Sequence, residues 1–277
     1  MRRIGLVLKS SEKQALVLGE KISRFLKDNG KDVLLEPAYQ DLAAQWDGTV
    51  TEHMPDEADL LVVLGGDGTM LRAASLLNSR SVPVLGVNLG RVGYMAEVSP
   101  HDAIPVLKSV LEGSSTFVER MMLEVTLPDG NKARALNDAV IHWGGIARLI
   151  DLGIRIGETK EIEMRADGLI VSTPIGSSAY SLAANGPLVH PDIEAIILTP
   201  ICQYAGLKRP LLVPAHVATE LVLRRGEDLI LTLDGRKRLP LAAGQTLRIV
   251  RSELSFIIVK SKAKDYFEVL KEKLNLL

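Results

Sequence analysis

Apolar residues recur with two different periods in the two parts of this chain. In the first part, continuous apolar runs typical of buried strands occur at residues 4–8, 33–35, 60–64 and 84–87. Segments 12–29 and 70–79 instead place apolar residues at helical spacing. Strands that alternate with helices predict an α/β domain whose parallel sheet is covered on both faces. Residues 36–58 are polar and irregular, and we predict no regular element there.

Beyond about residue 120, apolar and polar residues alternate with a period of two. Leu123, Val125 and Leu127 precede a Pro-Asp-Gly turn, and the same alternation returns up to residue 259. Turn residues between these segments are typical of hairpins. The pattern therefore predicts an α/β domain over residues 1–120 and a mostly antiparallel β-sandwich over residues 121–260. Residues 261–277 are expected to form an amphipathic helix that packs back on the first domain.

Composition narrows the class of protein. At 277 residues and 47% hydrophobic content, the chain can bury a large core without disulfides or structural metals. Its one cysteine, Cys202, excludes an internal disulfide and favours a reducing, cytoplasmic setting, and its apolar neighbours predict a buried thiol. The net charge of −1 favours neither nucleic acid nor an anionic membrane as a partner. No apolar stretch approaches the roughly 20 residues that a membrane helix needs.

The most informative segment is the glycine turn Gly65-Gly66-Asp67-Gly68-Thr69, which directly follows an apolar strand. Glycine lacks a Cβ atom, so the backbone can take positive φ and a polyphosphate can approach its N–H groups. The next helix would direct its positive end at the same place. Asp67 is the only acid of the turn. Alone, this pattern also fits an ordinary tight turn between a strand and a helix, so support has to come from elsewhere in the chain.

A second segment, residues 167–180, places Asp167 before an apolar strand and a hydroxyl-rich turn after it. Its serines, threonine and tyrosine could hydrogen-bond to ribose, phosphate or a base. The alternative is a turn whose hydroxyls satisfy one another.

These two segments, together with residues 86–97 and Asn137-Asp138, occur in the order and spacing of the NAD kinase family. The chain closely resembles that family over roughly residues 1–260. The resemblance implies a Rossmann-like α/β domain followed by a β-sandwich, and a homodimer or homotetramer. It implies that the enzyme phosphorylates the adenosine-ribose 2′-hydroxyl of NAD to give NADP, with ATP or polyphosphate as donor. A divalent cation such as Mg²⁺ would be held mainly by the nucleotide, because the sequence shows no metal-ligand spacing.

By the same resemblance, Asp67 is the general base that accepts the proton of the ribose hydroxyl. NAD or nucleotide contacts are implied at Gly66, Gly68, Thr69, Arg72, Tyr94, Met95, Asn137, Asp138, Arg148, Arg165, Asp167, Ser178, Ala179, Tyr180, Ser181, Leu182, Ala183, Asp234 and Arg236. Tyr94 and Met95 would lie near the adenine, where stacking is reasonable. For Arg72, an exposed arginine on a helix is an equally good interpretation.

The chain departs from the family pattern at several positions. Asp138 is one methylene shorter than the usual Glu, Ile175 and Ser178 replace Thr, and Arg236 replaces Gln. Residues 199–210 keep a Thr-Pro-x-Cys opening but lose the Pro-His that usually follows. This altered segment prompts a second hypothesis, a nucleotide-binding sensor that retains the pocket without turnover. A third hypothesis, a diacylglycerol- or sphingosine-type lipid kinase, shares the glycine turn but would need a membrane-docking helix that the sequence does not suggest.

Overall fold

The structure is a computed structural model that describes residues 1–9, 11–90, 93–145, 149–260 and 265–274. The chain divides into two units, one of Met1–Glu119 with Phe256–Leu277 and the other of Arg120–Ser255. Each unit has its own hydrophobic core.

The first unit is an α/β domain. Its strands before residue 90 are β1 (Arg3–Leu8), β2 (Asp32–Leu35), β3 (Thr49–Val50), β4 (Leu60–Leu64) and β5 (Pro83–Val87). Its helices are α1 (Lys13–Asp28), α2 (Gln40–Gln45), α3 (Met54–Glu57), α4 (Asp67–Leu76), α5 (Ala103–Leu111) and the later helix α7 (Tyr266–Leu274), with a 3-10 turn at Pro37–Tyr39.

These strands form a parallel sheet in the order β3-β2-β1-β4-β5, and Ile257 and Ile258 extend it by pairing parallel to β5. The predicted parallel α/β class is therefore confirmed. The direction of strand order reverses between β1 and β4, because β2 and β3 lie on one side of β1 and β5 lies on the other. Ligands of such sheets bind at the carboxyl ends of the strands beside this reversal. The glycine turn follows β4 directly, so it lies at that position.

Helices cover both faces of the sheet, as the continuous apolar strands require. On one face, Leu6 and Val62 pack with Ile22 of α1 and Leu107 of α5. On the other face, a Cβ atom on Gly5 would lie 2.8 Å from the Met54 side chain of α3, and one on Gly86 would lie 2.8 Å from the Met70 side chain of α4. The stretch 36–58, for which no element was predicted, contains two short helices and β3. Its buried residues Tyr39, Ala43 and Trp46 are four and three residues apart, which is helical spacing, but this pattern spans only about two turns among polar residues and was missed.

The second unit consists mainly of strands. They are β6 (Phe117–Thr126), β7 (Lys132–Ala135), β8 (Asp138–Trp143), β9 (Ile150–Ile156), β10 (Ile162–Ala166), β11 (Gly168–Ser172), β12 (Ala195–Ile201), β13 (Ala205–Gly206), β14 (Leu211–Pro214), β15 (Thr219–Arg225), β16 (Leu229–Leu233), β17 (Lys237–Leu241) and β18 (Thr246–Val259). A 3-10 turn (Ile175–Ser178) and the short helix α6 (Tyr180–Ala183) follow β11.

Two antiparallel layers build this unit. One is a six-stranded sheet in the order β14-β12-β11-β8-β16-β17, and the other contains β13-β10-β9-β15-β18. Ile141 and Val171 of the first layer share one core with Leu152 and Leu221 of the second. Sheets packed in this way form a β-sandwich, so the predicted class of this region is confirmed. Because side chains alternate across a strand, Asp138, Val140 and His142 of β8 point to the outer face of the six-stranded sheet.

Two smaller findings bear on the sequence expectations. Cys202 is exposed and takes a positive φ of 45°, so the expected burial of its thiol is wrong. It follows the last residue of β12, where the chain turns away from the apolar strand that suggested burial. Across the described residues, helices long and apolar enough to span a membrane are absent.

Candidate active site

The glycine turn of the first unit places Asp67 at the start of a helix. Gly66 is the N-cap of α4, and Asp67 is its first helical residue. A Cβ atom on Gly65 would lie 2.1 Å from Thr69 Oγ1, whereas one on Gly66 or Gly68 would meet no atom within 4 Å. None of these three glycines takes the positive φ that their sequence allows. Gly65 is thus needed for packing, and Gly66 and Gly68 leave an open backbone surface at the helix N-terminus, where anions are favoured.

Asp67 is held by backbone N–H groups of the segment that follows β5. Its carboxylate accepts hydrogen bonds from the N–H groups of Tyr94 (3.0 Å), Met95 (3.1 Å) and Ala96 (3.4 Å). Gly93 permits this approach, because a Cβ atom there would lie 2.1 Å from Asp67 Oδ1. The side chain remains 24% exposed, so one edge of the carboxylate is accessible.

That accessible edge contacts a cation from α7. Lys273 Nζ lies 2.9 Å from Asp67 Oδ2 and 4.5 Å from the centre of the Tyr94 ring. Burial raises the pKa of the Tyr94 phenol, and the nearby Tyr266 phenol and Asp67 carboxylate raise it further. Tyr94 therefore stays neutral and contacts both charged groups.

Arg72 lies one turn further along α4 and has partners within the fold. Its guanidinium lies 2.9 Å from the Glu36 carboxylate and donates to the Leu8 carbonyl at 2.8 Å. These contacts support the structural interpretation of Arg72, and its contact with phosphate stays a prediction.

In the second unit, Asp234 organises the loop before β8. Its carboxylate accepts hydrogen bonds from the consecutive N–H groups of Leu136 (2.9 Å), Asn137 (2.7 Å) and Asp138 (3.1 Å). Asp234 takes a positive φ of 50° and Gly235 one of 64° in the turn between β16 and β17. A left-handed backbone is unusual for a residue with a side chain, and aspartate tolerates it better than most.

The Asp138 carboxyl lies near this half-buried carboxylate and is itself only 5% exposed. Burial, reinforced by the charge of Asp234, raises the pKa of Asp138 to about 7. Burial also raises the pKa of Asp234, but its three N–H donors and Arg236 oppose that rise. The geometry therefore favours an ionised Asp234 beside an Asp138 that holds a proton up to neutral pH. A protonated carboxyl can donate a hydrogen bond as well as accept one.

A cavity of about 640 Å³ lies on the outer face of the six-stranded sheet. This volume is within the range of small-molecule pockets. It brings together six of the predicted ligand residues. Its lining consists of Asn137, Asp138, Val140, His142, Asp167, Ala179, Tyr180, Ile201, Thr232, Asp234, Gly235 and Arg238.

Most hydroxyls of the turn after β11 bond locally, as the structural alternative proposed. Ser178 Oγ donates to the Ile175 carbonyl at 3.0 Å, and Ser181 Oγ lies 2.8 Å from Thr199 Oγ1. Thr173 Oγ1 donates to the Leu136 carbonyl at 2.6 Å, which ties this turn to the loop that Asp234 holds. Tyr180 differs, because it is 47% exposed and lines the cavity.

The remaining predicted residues do not line the cavity on the outer face of the six-stranded sheet. Arg165 pairs with Asp151 through two hydrogen bonds of 2.5 and 2.7 Å and lines a different cavity, of about 480 Å³. Met95 is buried, Leu182 is half-buried, and Ala183 and Arg236 are exposed. Arg148 lies outside the described residues.

Two family models match the chain. The model of the ATP-NAD kinase N-terminal domain matches residues 4–115, and that of the C-terminal domain matches residues 136–261. The chain belongs to the NAD kinase family. The resemblance seen in the sequence is therefore confirmed.

Individual NAD kinases and solved structures agree with this assignment. The chain is 38% identical over 279 residues to the NAD kinase of Geotalea daltonii, covering 99% of this chain and 98% of that protein. It is 44% identical over 232 residues to that of Geobacter metallireducens, covering 82% of each. The structure is similar to yeast NADH kinase complexed with NADH (25% identity, TM-score 0.91, 99% and 88% coverage). It is also similar to an Archaeoglobus fulgidus NAD kinase in complex with ATP (27% identity, TM-score 0.78, 100% coverage of both).

Sequence reasoning missed several residues of these two candidate sites. Gly93 lies in one of the four matched segments, but its contact with Asp67 depends on how that segment folds against α4. Lys273 is far from the glycine turn in sequence and gave no signal. His142 and Thr232 could have been found, because they share the outer-facing alternation of β8 and β16.

Proposed function

We propose that this protein is an NAD kinase that transfers a phosphoryl group from ATP to the 2′-hydroxyl of the adenosine ribose of NAD⁺, giving NADP⁺. Family membership supports the reaction class, and the neighbours complexed with NADH and with ATP support the two substrates. The observation that carries the proposal is the Asp67 carboxylate, held by three backbone N–H groups beside the open surface of the glycine turn.

Asp67 acts as the general base of this reaction. A ribose hydroxyl is a weak nucleophile at neutral pH, so a carboxylate within hydrogen-bonding reach must take its proton as transfer proceeds. The O–H bond of the hydroxyl breaks, and its proton goes to Asp67. The 2′-oxygen forms a bond to the γ-phosphorus, the bond from that phosphorus to the bridging oxygen breaks, and ADP leaves with the bonding electrons.

The N-terminus of α4 binds the donor phosphates through backbone N–H groups, those of Gly66 and Asp67 among them, since the N–H groups of Gly65 and Thr69 already donate to the carbonyls of Val87 and Gly66. Among the described residues, no group of three or more His, Cys, Asp or Glu side chains is placed to hold a metal ion. A divalent cation such as Mg²⁺ therefore fits this site as a complex with ATP, whose phosphate oxygens supply the ligands. Bound in that way, it offsets the negative charge on those oxygens.

The outer-face cavity of the second unit binds NAD⁺. Its groups suit a dinucleotide, because it combines hydroxyl, amide and carboxyl partners with apolar strand residues and the exposed ring of Tyr180. The Asp138 carboxyl, protonated up to neutral pH, can donate to a ligand oxygen. We assign the enzyme to the cytoplasm and expect a homodimer or homotetramer, as the resemblance implies.

The direct test is NADP⁺ formation by the purified protein. NAD⁺, ATP and Mg²⁺ are supplied, and NADP⁺ is read by a coupled NADP-specific dehydrogenase, with the Asp67→Asn variant in parallel. We expect signal from the wild type and a loss on the order of a hundredfold or more in the variant. Separate arms with NADH and with polyphosphate identify the preferred acceptor and donor. No turnover in any arm, together with tight NADP⁺ binding, would instead support the sensor hypothesis.

A further inference from the structure

The ion pair between Lys273 and Asp67 places a cation where the proposed reaction needs one. Lys273 Nζ is 2.9 Å from Asp67 Oδ2, and both side chains are less than a third exposed. This ion pair joins the glycine turn to the last turn of α7. Because it is partly shielded from water, it is stronger than an ion pair between fully exposed groups.

The glycine turn itself supplies no cation. Residues 65–69 contain neither lysine nor arginine. Arg72, the next basic residue along α4, bonds to Glu36 and to the Leu8 carbonyl. Enzymes that transfer phosphoryl groups place positive charge next to the equatorial oxygens of the transferred group. Lys273 is the cation that the described part of the chain presents to Asp67.

The surroundings of Lys273 fix its position and leave it able to bond further. Its ammonium lies 4.5 Å from the centre of the Tyr94 ring, and the N–H of Tyr94 donates to Asp67. Tyr94 therefore orients both the base and the cation. An ammonium has three N–H donors, so it can bond to Asp67 and to a phosphoryl oxygen.

We propose that Lys273 is a further catalytic residue, whose ammonium binds an oxygen of the transferred γ-phosphoryl group next to Asp67. This role rests on the proposed kinase function. Lys273 remains a cation throughout, while the ribose proton goes to Asp67, the γ-phosphoryl group passes from ATP to the 2′-oxygen and ADP leaves. The positive charge stabilises the phosphoryl oxygens during transfer.

Turnover of three variants tests this role. Lys273→Gln removes the charge, and Lys273→Arg retains it. Lys271→Gln is the matched control, because Lys271 is an exposed lysine of the same last helical turn and its loss has the same effect on the helix dipole. We expect Lys273→Gln to lower kcat by about tenfold to a hundredfold. The KM for NAD⁺ should change less than about twofold, Lys273→Arg should recover part of kcat, and Lys271→Gln should match the wild type.

Donor binding without NAD⁺ provides a readout that a purely structural lysine would not change. The Kd values of Mg·ATP and Mg·ADP are measured by calorimetry. Because Lys273 is assigned to the γ-phosphoryl group, Lys273→Gln should weaken ATP binding by about tenfold and ADP binding by less than about twofold.

Equal weakening of ATP and ADP binding, or no weakening, would overturn the proposal. Faster turnover in Lys273→Gln would overturn it too, since the lysine would then restrain Asp67. These results are separate from the kinase function itself. A wild type that forms no NADP⁺ but loses its preference for ATP over ADP on mutation would refute the kinase function and keep the phosphate contact.

Discussion

Two aspartates in different units of this molecule are held in the same way. Asp67 accepts hydrogen bonds from the consecutive N–H groups of residues 94–96, and Asp234 accepts them from those of residues 136–138. In each case one carboxylate fixes a loop that lies far from it in sequence. Hydrogen bonds to a charged acceptor are among the stronger ones in proteins, so both loops are firmly placed.

The two aspartates differ in the groups that lie next to the part of each carboxylate that the three N–H donors leave uncovered. Asp67 faces a lysine and an open backbone surface at a helix N-terminus. Asp234 faces a second, buried carboxyl, that of Asp138, whose pKa its charge helps to raise to about 7. In the proposed function, the same backbone pattern therefore holds a base at one site and positions a ligand-binding loop at the other. The groups around a carboxylate, more than its own hydrogen bonds, indicate its role.

The largest effect is expected from Gly93→Ala, a substitution that disturbs the hydrogen-bonded arrangement at Asp67. In Gly93→Ala, the added methyl group would lie 2.1 Å from Asp67 Oδ1, so the carboxylate must shift. A displacement of about 1 Å at a reacting group can cost on the order of a hundredfold in rate, and we expect a loss of kcat of that size. Gly90→Ala is the control, because a Cβ atom there meets no atom within 4 Å. Comparable turnover in the two variants would argue against the need for this close contact.

A smaller effect, of a different kind, is expected at Asp234. Asp234→Asn has one carbonyl oxygen in place of a charged acceptor of three N–H groups, so the loop of residues 136–138 loosens. The KM for NAD⁺ should rise by about tenfold with kcat within about threefold, and the free energy of unfolding should fall by about 1–3 kcal/mol. Steady-state kinetics and denaturant unfolding measure these.

Asp228→Asn is the matched control for Asp234→Asn, because Asp228 has a similar positive φ of 47° in an exposed turn. A fall in kcat with an unchanged KM in Asp234→Asn would mean that Asp234 takes part in the chemistry, and the contrast between the two aspartates would then disappear.

The smallest effect is a change in the pH dependence of stability. The folded pKa of Asp138, about 7, lies above its ordinary value of 3.8. Between these pH values the folded protein keeps a proton that the unfolded chain has lost, so this group makes stability fall as pH rises. Asp138→Asn removes the effect. The free energy of unfolding of the variant minus that of the wild type should be about 2 kcal/mol larger at pH 8 than at pH 5.5. Denaturant unfolding at the two pH values measures this difference. A constant difference across that range would contradict the raised pKa.

Much of this architecture could be predicted from the sequence, for identifiable reasons. The run of residues 60–64 is apolar at every position because its strand is buried on both faces, and the alternation after residue 120 reflects strands with one face in the sandwich core. Asp67 could be named because it is the only acid of a glycine turn that follows a strand. Asn137, Asp138 and Tyr180 could be named through the family resemblance.

Other features depended on long-range contacts that a single sequence does not encode in any periodic way. Nothing local indicates that the Leu136–Asp138 loop is held by a carboxylate nearly a hundred residues later. The pairing of Asp67 with Lys273 spans more than two hundred residues. The hydroxyl-rich turn after β11 looked suited to ligands, yet Ser178 and Ser181 bond within the protein. Hydroxyl content alone could not separate these two possibilities.

The most direct test measures NAD⁺ binding and turnover side by side in Asp67→Asn and Asp234→Asn. Calorimetry gives the Kd for NAD⁺, and the coupled assay gives kcat. We predict that Asp67→Asn binds NAD⁺ within about threefold of the wild type and loses on the order of a hundredfold or more in kcat, whereas Asp234→Asn loses binding and largely keeps kcat. Near-normal turnover in Asp67→Asn would contradict its assignment as the base and the division of labour between the two aspartates.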